Sequence, residues 1–204
     1  MRIFKSVAVA VVVAVGGCSE SAPVSSPPSA APAVTNREAV RIGAVGSACE
    51  MPLSFEVATD WKPVAVDLEA FGELAALGRV GDFSVVCEID AKPAGHIGFL
   101  RVYQADDLSG QPREQLAAFL KAGTRGQEIS GTTYQDVQFG TVQGAEMTWQ
   151  SYDKGLDHHG KYSAFALNTR AGAVIVQLSP FGAEEHPAML PAFELARKTL
   201  STDT

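Results

Sequence analysis

Two short stretches of the sequence gather the side chains that could do chemistry. Residues 87–102, CEIDAKPAGHIGFLRV, place a cysteine, two carboxylates, a lysine and a histidine between two apolar runs. Residues 157–159, Asp157-His158-His159, follow another strand-like segment. Thiolates, carboxylates and imidazoles serve as nucleophiles, general bases and metal ligands, so both stretches are candidate sites.

The second stretch is a weak metal site when judged from spacing. Neighbouring histidines in an extended chain project in different directions, so His158 and His159 would seldom bind one ion together. A metal would need a further carboxylate, or His186, brought in by the fold. We therefore expect an exposed hairpin loop, with Asp157, His158 and His159 as weak ligand-site candidates and no bound metal or cofactor.

Trp61 is a further weak candidate, because an indole in a turn can stack on a sugar ring or close an apolar pocket. The alternative is that it belongs to the core, as tryptophans near a sheet usually do.

The chain has no G-x-S-x-G elbow, no complete phosphate-binding loop and no dinucleotide fingerprint. We expect no catalytic residues and no enzymatic activity. The alternative is an envelope hydrolase or metal-dependent enzyme whose acidic or histidine side chains converge only in the fold.

The N-terminus carries signals for export and lipid attachment. A basic start, MRIFK, is followed by a short apolar stretch and by Val15-Gly16-Gly17-Cys18, as in a secretory signal peptide. The apolar stretch is too short to cross a hydrocarbon core, which needs about 20 helical residues. VGGC also resembles the lipobox of bacterial lipoproteins, in which the cysteine receives a diacylglyceryl group. We predict a lipoprotein signal peptide at 1–17 and a membrane anchor at Cys18.

Composition sets the domain organisation that we expect beyond the anchor. Residues 18–45 are rich in serine, proline and alanine. We predict that they comprise the lipidated cysteine and a tether. Residues 46–204 are long enough for a single globular domain. Removing 1–17, which contains two basic residues and no acid, changes the net charge from −7 to −9. A chain this acidic is not expected to bind nucleic acid, which requires a basic surface.

Two of the three cysteines, Cys49 and Cys87, remain after lipidation of Cys18. In an exported protein they are expected to form a disulfide bond. The alternative is two separately buried thiols, which a thiol titration of the unfolded, unreduced chain would detect. With Cys87 bonded, the first stretch would contain no reactive thiolate.

The pattern of apolar residues predicts an α+β fold, a mainly antiparallel sheet flanked by helices. Helices are expected near residues 68–78, 109–123 and 184–200, the last with a kink or late start because of Pro191. Hairpin turns are expected at Gln143-Gly144 and Ala171-Gly172. The first helix should bury one apolar stripe, formed by Phe71, Leu74 and Ala75.

Three segments resemble the actinobacterial exported lipoproteins of unassigned function: CEMPLSFEVATDWKP, VVCEIDAKPAGHIGFLRV and EEHPAMLPAFELARKTL. The FEVATDW strand and turn, together with the order of helices and hairpins, are similar to the PsbP-like fold, which includes the mycobacterial LpqN-type lipoproteins. The resemblance covers residues 48–201. It implies an α/β/α sandwich with a binding or scaffolding role at the extracytoplasmic face of the cell membrane. The partner would be an envelope protein or a small-molecule ligand, and the resemblance supplies no catalytic residue.

Overall fold

The structure, a computed structural model, describes residues 38–106 and 110–202. The signal peptide, Cys18 and most of the expected tether lie outside these residues. The described residues contain two α-helices, α1 (Pro112–Gly123) and α2 (His186–Thr199), with 3₁₀ segments at Glu69–Gly78 and Lys92–Ala94. The strands are β1 (Ala39–Ile42), β2 (Phe55–Ala58), β3 (Lys62–Ala65), β4 (Arg79–Val80), β5 (Phe83–Asp90), β6 (Gly98–Ala105), β7 (Glu128–Phe139), β8 (Val142–Asp153), β9 (His158–Thr169) and β10 (Gly172–Pro180).

Eight of the strands form one antiparallel sheet, in the order β3-β5-β6-β10-β9-β8-β7, with β4 also paired to β5. Strands β1 and β2 form a separate antiparallel pair. The α+β class expected from the sequence is confirmed. Within the described residues, no helix has both the length and the apolar character needed to cross a membrane.

One face of the sheet, the α1 face, packs against α1. Leu116 and Phe119 of the helix are buried, as their spacing predicts. Beneath them the sheet presents small side chains, Ala164 and Ala166 among them, which let the helix approach β8 and β9 closely. The helix covers only part of this face, because it has 12 residues, about 18 Å of length.

The opposite face, the α2 face, packs against α2 and the β1–β2 pair. Met189, Phe193 and Ala196 of α2 are buried against this larger core, as their periodicity predicts. The helix begins at His186, two residues later than the earliest expected start, and Pro191, the reason for expecting a late start or a kink, lies inside it. This late start places Pro187 in the first turn, where the missing amide hydrogen costs little. Apolar residues lie on both sides of β5 and β6, as is typical of a sheet that is covered on both faces.

The segment Glu69–Gly78 differs from its prediction. It is a 3₁₀ segment interrupted at Gly72, where φ is 53°, and it buries none of its residues. The expected stripe is instead exposed, with Phe71 at 54% and Leu74 at 61%. Glycine adopts this backbone conformation without steric penalty, so the helical pattern breaks there.

Three boundaries also move. The β7–β8 turn lies at residues 140–141, with Phe139 paired to Val142, and not at Gln143-Gly144. Gly140 has a φ of 60°, whereas a side chain at Gly144 would collide with the Phe139 ring. The β9–β10 turn lies one residue earlier than Ala171-Gly172. Strand β1 occupies residues that the sequence assigned to the tether, so the folded domain begins before residue 46.

Candidate functional site

The first candidate stretch is a hairpin whose reactive groups are already engaged. Cys87 forms the expected disulfide with Cys49, across a Cα–Cα distance of 5.9 Å, and both residues are buried. Glu88 accepts a hydrogen bond from Arg101 Nε at 2.6 Å. The His96 ring lies 3.4 Å from Glu185. The disulfide prediction is confirmed, and the cysteine is not a nucleophile.

The second stretch lies at one end of the sheet, where β8 turns into β9. Asp157, with a φ of 47°, accepts a hydrogen bond from the Tyr152 hydroxyl at 2.9 Å. That bond is the main reason why the pKa of Tyr152 is raised. The His158 ring bonds to the Phe181 carbonyl oxygen. His159 stacks on Tyr152 instead, with ring centroids 4.5 Å apart.

These side chains do not converge on one ion. His186, the further ligand that a metal would need, is the buried first residue of α2 and bonds through Nε2 to Ser163 at 2.9 Å. Its burial lowers the pKa of His186, and the nearby charge of Lys161 lowers it further. Within the described residues, no group of three or more His, Cys, Asp or Glu side chains could hold a metal ion.

Trp61 lies in the core of the α2 face, 4% exposed, so its indole is not offered to a ligand.

Two fragments of catalytic or phosphate-binding motifs in the β8–β9 region also lack the helix that each motif would need. Ser151 and Lys154 have S-x-x-K spacing, but Ser151 lies in a strand, where this spacing does not place the two groups on one helical face. Gly155 to Lys161 has the glycine and lysine spacing of a phosphate-binding loop, but it leads into β9 and not into a helix.

The exposed 3₁₀ segment forms a site that the sequence did not predict. Phe71, Leu74 and Leu77 are 54%, 61% and 82% exposed. They line a groove of about 230 Å³ whose base is formed by Val66, Leu68 and Val85. We call this surface, residues 66–78 with Val85, the apolar groove.

A single polar contact marks the rim of the apolar groove. Glu88 lines the groove, and its carboxylate is held by Arg101. The pair neutralises the charge at this edge, so the groove is chemically suited to an apolar side chain or segment. The exposure of three large apolar side chains within seven residues is typical of a binding surface.

A family profile matches the chain over residues 19–200, with the description "uncharacterised lipoprotein". The chain belongs to the uncharacterised lipoprotein family. Membership implies attachment to a membrane through a lipid, in agreement with the lipobox at Cys18.

Among solved structures, this lipoprotein is similar to cyanobacterial PsbP (CyanoP) from Synechocystis sp. PCC 6803. The TM-score is 0.53 at 12% sequence identity, and the match covers 86% of this chain and 99% of the other. The similarity shows that the lipoprotein has the PsbP-like fold, as expected. Comparison with curated proteins gives no match.

Proposed function

We propose that this lipoprotein is a non-enzymatic binding domain, anchored through lipid on Cys18 at the extracytoplasmic face of the cell membrane. Its apolar groove receives an apolar segment of an envelope protein. The observation that carries the proposal is the exposure of Phe71, Leu74 and Leu77 beside a preformed groove. The narrower likeness to actinobacterial, LpqN-type lipoproteins is part of the proposal and is supported by three sequence segments.

The energetics favour a protein partner. Complete burial of one large apolar side chain contributes about 1.5–3 kcal/mol. The exposed fractions of the three side chains add up to about two complete side chains. Covering them with a partner would therefore contribute roughly 3–6 kcal/mol to binding. Association costs an estimated 4–15 kcal/mol, so the groove is sufficient as the centre of a larger interface and insufficient alone. A protein can supply the surrounding contacts that a small molecule cannot.

The alternative, an envelope hydrolase or metal-dependent enzyme, needs histidine or carboxylate groups that converge. In the described part of the chain, His158, His159 and His186 have separate partners, so this alternative gains no support from the geometry. The partner-binding proposal needs only the groove and the anchor.

Site-specific photo-crosslinking in the intact envelope tests the groove. A photoreactive residue at Leu77 should give a discrete protein adduct, and one at Gln135, an exposed position on β7, should not. The variant Leu74→Ser, made with the probe at 77, should reduce the adduct, because it removes a neighbouring apolar contact. Adducts with lipid alone, or equal protein adducts from both positions, would show that the groove does not receive a protein.

The anchor needs a separate test. Metabolic palmitate labelling should mark the wild-type chain and not a Cys18→Ala variant. Label retained on the variant would contradict attachment at Cys18, whatever the crosslinking shows.

A further inference from the structure

A second cavity lies on the α1 face, where the C-terminal end of α1 leaves the sheet uncovered. Its volume is about 190 Å³. An apolar cavity of about 150 Å³ accommodates benzene, so this volume corresponds to one six-membered ring with small substituents. The side chains that give the cavity its chemistry come from β6, β8, β9 and β10, and they are Arg101, Tyr103, Trp149, Tyr162, Gln177 and Ser179.

Arg101 is the one charged side chain among the residues that line the cavity. The Arg101 guanidinium is paired with Glu88 at 2.6 Å and lies over the Phe99 ring, 4.6 Å from its centroid. Burial raises the pKa of Tyr103, so its hydroxyl remains protonated at neutral pH. Gln177 and Ser179 supply neutral groups that both donate and accept hydrogen bonds. The positive charge at the cavity is therefore compensated by Glu88, and its other polar lining groups are neutral.

Trp149 provides the clearest sign of an unmet interaction. Its side chain is 2% exposed, and within the described residues its Nε1 donor has no hydrogen-bond partner. A buried donor left without a partner costs about 1–3 kcal/mol. The indole stacks on Tyr162 at 5.1 Å with an interplanar angle of 20°, and both rings line the cavity. The nitrogen is itself enclosed, so an acceptor atom of a ligand would relieve this cost once the neighbouring side chains shift to admit it.

We propose that the cavity binds one neutral sugar ring. A pyranose matches the volume, and its hydroxyls donate and accept as Gln177 and Ser179 require. One of those hydroxyls accepts from Trp149 Nε1, and the C–H face of the sugar lies on the ring of Tyr162. An apolar ring of the same size would leave the polar groups without partners, and a charged ring would lack a counter-charge.

The site is distinct from the apolar groove. The Glu88–Arg101 pair lies between them, with Glu88 at the groove and Arg101 at the cavity. Sugar binding can therefore fail while the crosslink at Leu77 succeeds, and the reverse is also true.

Two-dimensional NMR of the full mature chain in detergent, labelled with ¹⁵N at tryptophan, tests the proposal. Trp149 and Trp61 give two indole signals, which the variant Trp61→Phe assigns. Methyl glucoside should shift the Trp149 signal in a saturable way at millimolar concentrations. The signal of Trp61, which lies in the core of the other face, should not move.

Benzoate and benzamidine, one anionic and one cationic ring, and cyclohexanol, a largely apolar ring, are the comparison probes. Each should bind at least about tenfold more weakly than the glycoside, a difference of about 1.4 kcal/mol. The variant Gln177→Ala should weaken glycoside binding by a similar factor, and Gln135→Ala, an exposed position on β7, should not. If Gln177→Ala does not fold, Ser179→Ala is the replacement.

A Trp149 signal that does not respond to the glycoside overturns the proposal. So does an equal response of both indoles, or tighter binding of any comparison probe. Equal glycoside affinity in the cavity variant and in Gln135→Ala would also exclude this site.

Discussion

Replacement of both bridged cysteines by alanine should lower the free energy of unfolding by about 4 kcal/mol. The disulfide joins residues 38 positions apart. In the chain-entropy treatment, a loop of this length restricts the unfolded chain by about 13 cal/mol/K, or about 3.9 kcal/mol at 25 °C. Cys49 and Cys87 are 1% and 0% exposed, so loss of the sulfur atoms also leaves a void that acts in the same direction.

Urea denaturation followed by circular dichroism measures the effect. Thermal denaturation gives a second measure. For a domain of this size, a loss of 1 kcal/mol in the free energy of unfolding lowers the thermal midpoint by about 2–4 °C, so the midpoint should fall by roughly 8–16 °C. Wild-type protein in reductant is the matched control, because it lacks the bond and keeps both sulfur atoms. If the oxidised and reduced wild-type chains differ by less than about 1 kcal/mol, the loop-closure reasoning is refuted.

Three further substitutions test the surroundings that the structure gives His186, Trp61 and Leu77. Because the pKa of His186 lies below its ordinary value of 6.5, the unfolded chain takes up this proton first, and stability should fall as the pH drops below about 6.5. Urea midpoints measured between about pH 7.5 and about pH 5 should show a shallower fall for His186→Gln; parallel curves would contradict this assignment. Trp61→Ala should cost about 3–5 kcal/mol, since the indole is core, whereas Leu77→Ala, at an 82% exposed position, should change stability by less than about 0.5 kcal/mol. If calorimetry shows a similar loss of stability for Trp61→Ala and Leu77→Ala, the assignment of Trp61 to the core and of Leu77 to the surface is wrong.

The fold was predictable where local pattern and tertiary packing agree. The spacing of Leu116 and Phe119 identifies α1, and Met189, Phe193 and Ala196 identify the buried side of α2. Turn positions were less predictable, because several glycines compete for each turn. Gly140 takes the left-handed conformation, while Gly144 is needed in the strand beside Phe139.

The candidate sites were not predictable to the same degree. The apolar spacing of Phe71 and Leu74 fits a buried stripe, but periodicity does not tell whether another element of the same chain covers it. Gly72 was the local signal that the helix would break. The cavity beside α1 combines residues from five strands and a helix, and only the pairing of β6 with β10, which are distant in sequence, brings Arg101 beside Gln177.

The disulfide has a mechanical consequence for a domain tied to a membrane at its N-terminal side. With the anchor and the partner as proposed, tension between the lipid on Cys18 and the apolar groove would enter the folded chain at β1 and soon reach Cys49. There the covalent bond passes the load directly to Cys87 in β5, a strand paired to β6 along most of its length. Strands β2 and β3 and the groove segment lie inside the closed loop, so a pull on the groove is divided between the two arms of that loop. The bond thus limits how far a pull on the anchor can unravel the partner-binding surface.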